Sequence, residues 1–362
     1  MPSKTKATIL QHHQQNRLLN TAMPPLAMRN PNDLSADDLL APLDERVIEA
    51  TVSALESGQT HYVDVPGIGP LREALAKFLN SSAGTSAQMS NVLVTAGVQE
   101  SRFLSIHLIS EQLGKIAIPS VVHPGVRKTL GIRPLETIEV DVDAATMLPT
   151  LTAIRAALSS GAKLIYLESP SRLTGATYSA EDVAAIAELI HEHDAAAIWD
   201  QGLAVWADSS PSLAAQQGMA ERVAVIGEAW PGMGLTSWHI GYIAAPEPWI
   251  APMQSQKQIM SICTSTASQY AALEASNLFE QTYPEIKKQL NNARQQLLDT
   301  AKLDVLQGGA VNILAIRSTA DIERLQSAGY DVADGAEFGA PGVVRITITG
   351  DDTAQNIIEQ LA

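Results

Sequence analysis

Among the charged or titratable residues that lie in or beside apolar runs of this sequence, five are the best equipped for chemistry. Asp200 ends the short run AAIWD, and Arg345 lies inside GVVRITIT, where a charge is costly unless it is paired or meets a ligand. Arg172 falls in LESPSRLTG, while Glu228 and His239 flank the turn-rich stretch GEAWPGMGLTSWHIGY. Carboxylates together with a histidine whose ordinary pKa is about 6.5 can move protons near neutral pH. A planar guanidinium can fork onto a carboxylate. The expected site therefore has His239, Glu228 and Asp200 as acid–base groups and Arg345 and Arg172 as anchors for an anionic ligand. The alternative for the same residues is an internal cluster in which Arg172 and Arg345 neutralise Asp200 and Glu228.

Other candidates carry less. His191 and His193 in HEHD stand two apart and do not share a helix face, so the run reads as a solvated helix end. His12 and His13 lie in a polar N-terminal stretch, and no metal site is expected. Cys263 is the only cysteine, which excludes an internal disulfide and a cysteine-cluster metal centre. GIGP (67–70) and GMG (232–234) are too short and misplaced for a dinucleotide fingerprint.

The elements that must position these residues alternate. NVLVTA, KIAIP, ETIEVDV, KLIYLE, AAIWD, RVAVIG and HIGYIAA are short apolar runs, most of them separated by stretches with helical spacing. Ser179 with Asp182 three residues on predicts a capped start for the helix SAEDVAAIAELIHEHD. Strands alternating with helices imply an α/β fold with a mostly parallel sheet covered on both faces. Ligands in such sheets sit beyond the carboxyl ends of the strands, which directs attention to residues 96–99, 119–124, 168–175, 200–203 and 228–231. Beyond Pro246 long helices are expected, including KQIMSICTSTASQYAALEASNLFE and EIKKQLNNARQQLLDTA. NILAIR, a helix from Asp321, GVVRITIT and a last helix follow. The expected organisation is an arm with part of a small domain (1–45), a large α/β domain (46–280) and a small α+β domain (281–362).

The 362 residues carry a net charge of −15, which argues against a nucleic-acid or anionic-membrane partner. No apolar run approaches a membrane span, the N-terminus lacks a signal-peptide pattern, and a cytoplasmic protein is expected.

The landmarks, taken in order, resemble the class I/II aminotransferases, pyridoxal-phosphate enzymes of fold type I. HYVDVPGIGPLREALAKFL, VLVTAGVQES, LESPSRLTG, AAIWDQGL, LTSWHIGYIAAP and GVVRITIT match six family segments from about residue 45 onward. The resemblance implies that Asp200 corresponds to the acid paired with the cofactor's pyridine nitrogen and Arg345 to the substrate-carboxylate arginine. Tyr62 corresponds to a tyrosine that crosses the dimer interface, and Gly97 to the glycine turn of the phosphate site. It also implies departures. Pro231 falls at the Schiff-base lysine, Glu228 at a phosphate-site serine, His239 at the phosphate-site arginine and Arg172 at the asparagine of the phenolic oxygen. Val121 and Leu203 replace two aromatic residues, and no lysine lies between Lys163 and Lys257.

From these departures the expected function is a repurposed fold acting without covalently bound pyridoxal phosphate, with no cofactor. It would bind an amino-acid-like or other carboxylate metabolite through Arg345, Arg172 and Tyr62 and perform acid–base chemistry on it. The alternatives are a non-catalytic partner subunit of a lysine-bearing relative and an amino-acid-sensing module; a conventional aminotransferase ranks last. A homodimer, or a heterodimer with such a relative, is expected, with Tyr62 and TSTAS (264–268) at the interface.

Overall fold

Runs of four to six aliphatic and β-branched residues become the strands of a seven-stranded sheet. They are β1 (Val92–Ala96), β2 (Ile116–Pro119), β3 (Thr137–Val140), β4 (Leu164–Glu168), β5 (Ala196–Asp200), β6 (Val223–Glu228) and β7 (Ile240–Ala244). Their spatial order is β1-β7-β6-β5-β4-β2-β3. Pairs along β3-β2-β4-β5-β6 are parallel, and β7 runs antiparallel to both β1 and β6. The structure is a computed structural model that describes residues 32–37, 43–301 and 303–361. Most of the expected arm, His12 and His13 included, lies outside the described residues.

The sheet is apolar on both faces because side chains alternate and each face has its own helical cover. Ile165, Leu167, Ala197 and Trp199 join one core, whereas Leu164, Tyr166, Ala196 and Ile198 join the other. Ser179 accepts from the Asp182 backbone N–H, and Asp182 accepts from Ser179 in return, so the helix Ala180–Glu192 starts with the expected capping box.

A second, three-stranded sheet has the order β8 (Ile313–Ile316), β10 (Val344–Thr347), β9 (Ala333–Asp334). Its register sets Arg345 on the central strand between Ala315 and Ala333, small neighbours that leave space for a long side chain. The expected long helix through KQIMSICTSTASQYAALEASNLFE is broken. One helix, Glu247–Met260, ends before residues 261–265, and another, Thr266–Ala301, continues through the second expected helix and through Pro284. Ser, Cys and Thr in that segment compete with helix hydrogen bonding, and Ile262 takes a left-handed conformation with φ 62°. The long helix passes through residue 280, the expected limit of the large domain. From Leu34 onward the described chain forms one compact unit.

Candidate functional site

The parallel register places the first two acids side by side: Glu168 at the end of β4 faces Asp200 at the end of β5, and β6 next to β5 ends in Glu228. Arg172, four residues beyond β4, reaches back over these ends. Its Nε and Nη2 donate to Asp200 Oδ1 at 3.2 and 2.5 Å, and Nη1 and Nη2 donate to Glu228 at 2.8 and 2.9 Å. The other Asp200 oxygen accepts from Arg102 Nη2 at 3.0 Å and Tyr166 O–H at 2.9 Å. Arg172, Arg102 and Asp200 are fully buried, while the Glu228 side chain is 22% exposed. Burial pushes the Asp200 carboxyl up, but Arg172 and Arg102 outweigh it and hold the group below the usual carboxylate range. Glu168 accepts from the backbone N–H groups of His123 and Arg172. Burial and the neighbouring Asp200 push Glu168 up to about 7.

Arg345 lies in the same region, because its Nη1 donates to the Arg172 carbonyl at 2.9 Å. Its partner acid is Asp37, with Arg345 Nη1 2.7 Å from Oδ1. The other Asp37 oxygen accepts from His123 Nε2 at 2.7 Å. His123 Nδ1 accepts from the Gly125 N–H, which fixes the neutral tautomer with its proton on Nε2. Burial, with Arg102 nearby, pushes the His123 pKa down and keeps the ring neutral. The Phe338 ring packs on the Arg345 guanidinium at 5.3 Å.

The structure thus joins Asp200, Glu228 and Arg172 but separates them from His239. That residue is exposed, in a left-handed conformation with φ 51°, and lies beside Gly97 at the start of the helix Gly97–Leu113. Among the described residues no hydrogen bond or ion pair joins His239 to Asp200 or Glu228, so the expected acid–base trio does not form as a unit. Asp200 and Glu228 instead have their oxygens committed to arginines. The amide of Ala96, preceding that helix, donates to Glu100, which also receives Lys257 Nζ at 2.7 Å. Tyr62 is 80% exposed, and its neighbour His61 accepts through its carbonyl from Thr266 Oγ1. Arg345 thus reaches the backbone of Arg172, but each of the two guanidiniums already holds an acid. A cavity of about 390 Å³ adjoins Glu228, Pro231, Gly202 and Tyr242.

Glu168 and His123 lie in loops marked for a ligand but were given no role, and Arg102, Tyr166 and Asp37 were not expected here. Arg102 did carry a signal, a cation in a helix whose neighbours Ser101, Leu104 and Ser105 are buried. Asp37 carried none, because an acid in a polar N-terminal stretch looks like any solvated residue.

Pyridoxal phosphate, which the resemblance implies, does not fit the described side chains. Both Asp200 oxygens are taken, so no acceptor is left for a pyridine N–H. Even a Cβ added at Gly202 would collide with Glu228 Oε2 and Arg172 Nη2. Pro231 has no amine, Lys163 Nζ binds the His193 carbonyl, and Lys257 binds Glu100.

Comparison with known proteins places the fold. The sequence profile described as aminotransferase class I and II matches residues 30–361. The aspartate/prephenate aminotransferase of Thermus thermophilus is 27% identical over 337 residues, covering 88% of this chain and 86% of that protein. The putative aminotransferase YugH of Bacillus subtilis is 28% identical, covering 70% of this chain and 67% of that one. Among solved structures, a Thermus thermophilus aspartate aminotransferase superposes with a TM-score of 0.81 at 24% identity, covering 94% of this chain and 98% of that chain.

These findings correct the expected function. The matched family and these relatives are aminotransferases, whose cofactor is pyridoxal phosphate, and nothing among them supports chemistry independent of it. The expectations of a pyridoxal-phosphate-independent enzyme and of no cofactor are overturned on that ground. The partner-subunit and sensing alternatives likewise find no counterpart in these two relatives. The departures expected at Pro231, Glu228, Arg172 and His239 concern four positions, whereas the match runs over residues 30–361. By its ordered landmarks, its seven-stranded sheet and a match over residues 30–361, this chain belongs to the class I and II aminotransferase family.

Proposed function

We propose that this chain works in amino-acid metabolism and seats the carboxylate of an amino or keto acid on Arg345. The observation carrying this reading is that Arg345, only 1% exposed, already holds a carboxylate at 2.7 Å beside the strand ends. A buried guanidinium needs an anion, and this one lies where open α/β sheets take ligands. Likeness to the aspartate/prephenate aminotransferase of Thermus thermophilus makes dicarboxylic amino and keto acids the first candidates. The protein is further proposed to be a cytoplasmic homodimer. Ile259, Met260 and Ile262, 83%, 47% and 40% exposed, lie next to the groove of Tyr62 and residues 264–267, an apolar surface suited to a second copy. The division into 1–45, 46–280 and 281–362 stands as part of the same proposal.

The test is calorimetric titration of the wild type and Arg345→Ala with aspartate, glutamate, phenylalanine and 2-oxoglutarate, with and without added pyridoxal phosphate. The wild type is expected to bind at least one, and Arg345→Ala to lose about tenfold or more in affinity, as for one charge-assisted pair. No binding under either condition, with Arg345→Ala merely destabilised by about 3–5 kcal/mol, would mean that Arg345 only balances a buried acid.

A further inference from the structure

Asp37 makes the contacts that a ligand's carboxylate would make. One oxygen takes Arg345 Nη1 at 2.7 Å and the other takes His123 Nε2 at 2.7 Å. The two donors are rooted in the fold, with side chains 1% and 14% exposed, whereas the Asp37 side chain between them is 31% exposed. The occupant is therefore the solvent-facing member of the trio. We infer that Arg345 and His123 form a two-point carboxylate seat whose resident is Asp37, and that a ligand enters by exchanging its carboxylate for that of Asp37. The inference rests on the proposed role of Arg345 and adds His123 as a second binding residue and Asp37 as a competitor.

Three features support the exchange. First, the seat is incompletely used: Arg345 Nε is buried with no hydrogen-bond partner among the described residues, since Asp37 takes only Nη1. A carboxylate free of the chain can approach the guanidinium along an edge that a tethered one does not use, gaining a fork of parallel bonds. Second, the backbone under Asp37 is fastened independently of its side chain. Leu34 N–H donates to the Asp331 carbonyl, the Leu34 carbonyl accepts from Thr347 N–H, and the Ser35 carbonyl accepts from Arg345 Nη2. Departure of the carboxylate then requires rotation of one short side chain, with the strap left in place. Third, replacing one carboxylate by another never leaves Arg345 unpaired, which avoids the large penalty of an isolated buried charge.

The experiment compares the wild type with Asp37→Ala and Asp37→Asn, using acetate and L-aspartate as probes, by calorimetry and by the probe-induced shift in melting temperature. Asp37→Asn keeps the volume and removes the charge, so it serves where the alanine variant folds poorly. Both variants are expected to bind the probes about tenfold or more tighter than the wild type. His123→Ala in the Asp37→Asn background is expected to lose about that gain. Asp37 variants that bind no tighter than the wild type, while Arg345→Ala still abolishes binding, would overturn the exchange and leave the proposed function standing. Binding that survives Arg345→Ala in the Asp37→Asn background would instead overturn the proposed function itself. Binding unaffected by His123→Ala would overturn the two-point seat.

Discussion

Replacing Arg172 by methionine removes the one cation shared by two acids, and the structure says what each acid then loses. Asp200 gives up contacts of 3.2 and 2.5 Å but keeps Arg102 at 3.0 Å, Tyr166 at 2.9 Å and the Gly202 N–H at 3.1 Å. Glu228 gives up both of its contacts to Arg172, at 2.8 and 2.9 Å. With 22% of its side chain exposed and a cavity alongside, it can turn toward water. Breaking a buried pair typically costs about 3–5 kcal/mol. With Asp200 still paired and Glu228 able to solvate, Arg172→Met should fall near the lower end, at about 3 kcal/mol. Adding Glu228→Gln removes the orphaned charge and should recover about 1 kcal/mol or more, a coupling typical of contacting charges. The assay is urea unfolding of the wild type, both single variants and the double variant at pH 7, followed by far-UV circular dichroism and tryptophan fluorescence together. Coincident transitions would justify comparing midpoints. A single Arg172→Met variant within about 1 kcal/mol of the wild type would refute the claim that this cluster is held by its ion pairs.

Two further outcomes follow from the same geometry. Glu168 keeps its proton up to about 7 in the fold but only to its ordinary value near 4.5 when unfolded, so between these values the folded state binds more protons. Its contribution to stability therefore falls as pH rises through that window, by about 3 kcal/mol at 1.36 kcal/mol per unit. The depressed His123 pKa has the opposite sign, so the readout is the difference between Glu168→Gln and the wild type, which should move in the variant's favour from pH 4.5 to pH 7.5. A difference independent of pH would count against a protonated Glu168. For assembly, analytical ultracentrifugation should give a dimer for the wild type and a weakened one for Ile259→Asp, which sets a charge on a side chain that is 83% exposed. A wild-type monomer at micromolar concentration would rule the dimer out.

The sequence by itself determined the strands, the order of the landmarks and the start of the helix Ala180–Glu192. Short strands that are apolar at nearly every position can only be satisfied by a sheet covered on both faces, and a Ser with an Asp three residues on needs nothing distant to cap a helix. It also marked Asp200, Arg172, Glu228 and Arg345, because a charge inside an apolar run is conspicuous wherever it lies. The partners of those charges were decided only by tertiary structure. The register of β4, β5 and β6 brings Glu168, Asp200 and Glu228 to one edge, and a helix after β1 delivers Arg102 to the far side of Asp200. Asp37, from near one end of the chain, meets Arg345, from near the other, while His239, adjacent in sequence to the buried Ile240, turns out to solvent. Side-chain periodicity is a local property that folding preserves. Which buried charge neutralises which depends on distances of a few ångströms between segments that are tens to hundreds of residues apart, and no local pattern encodes them.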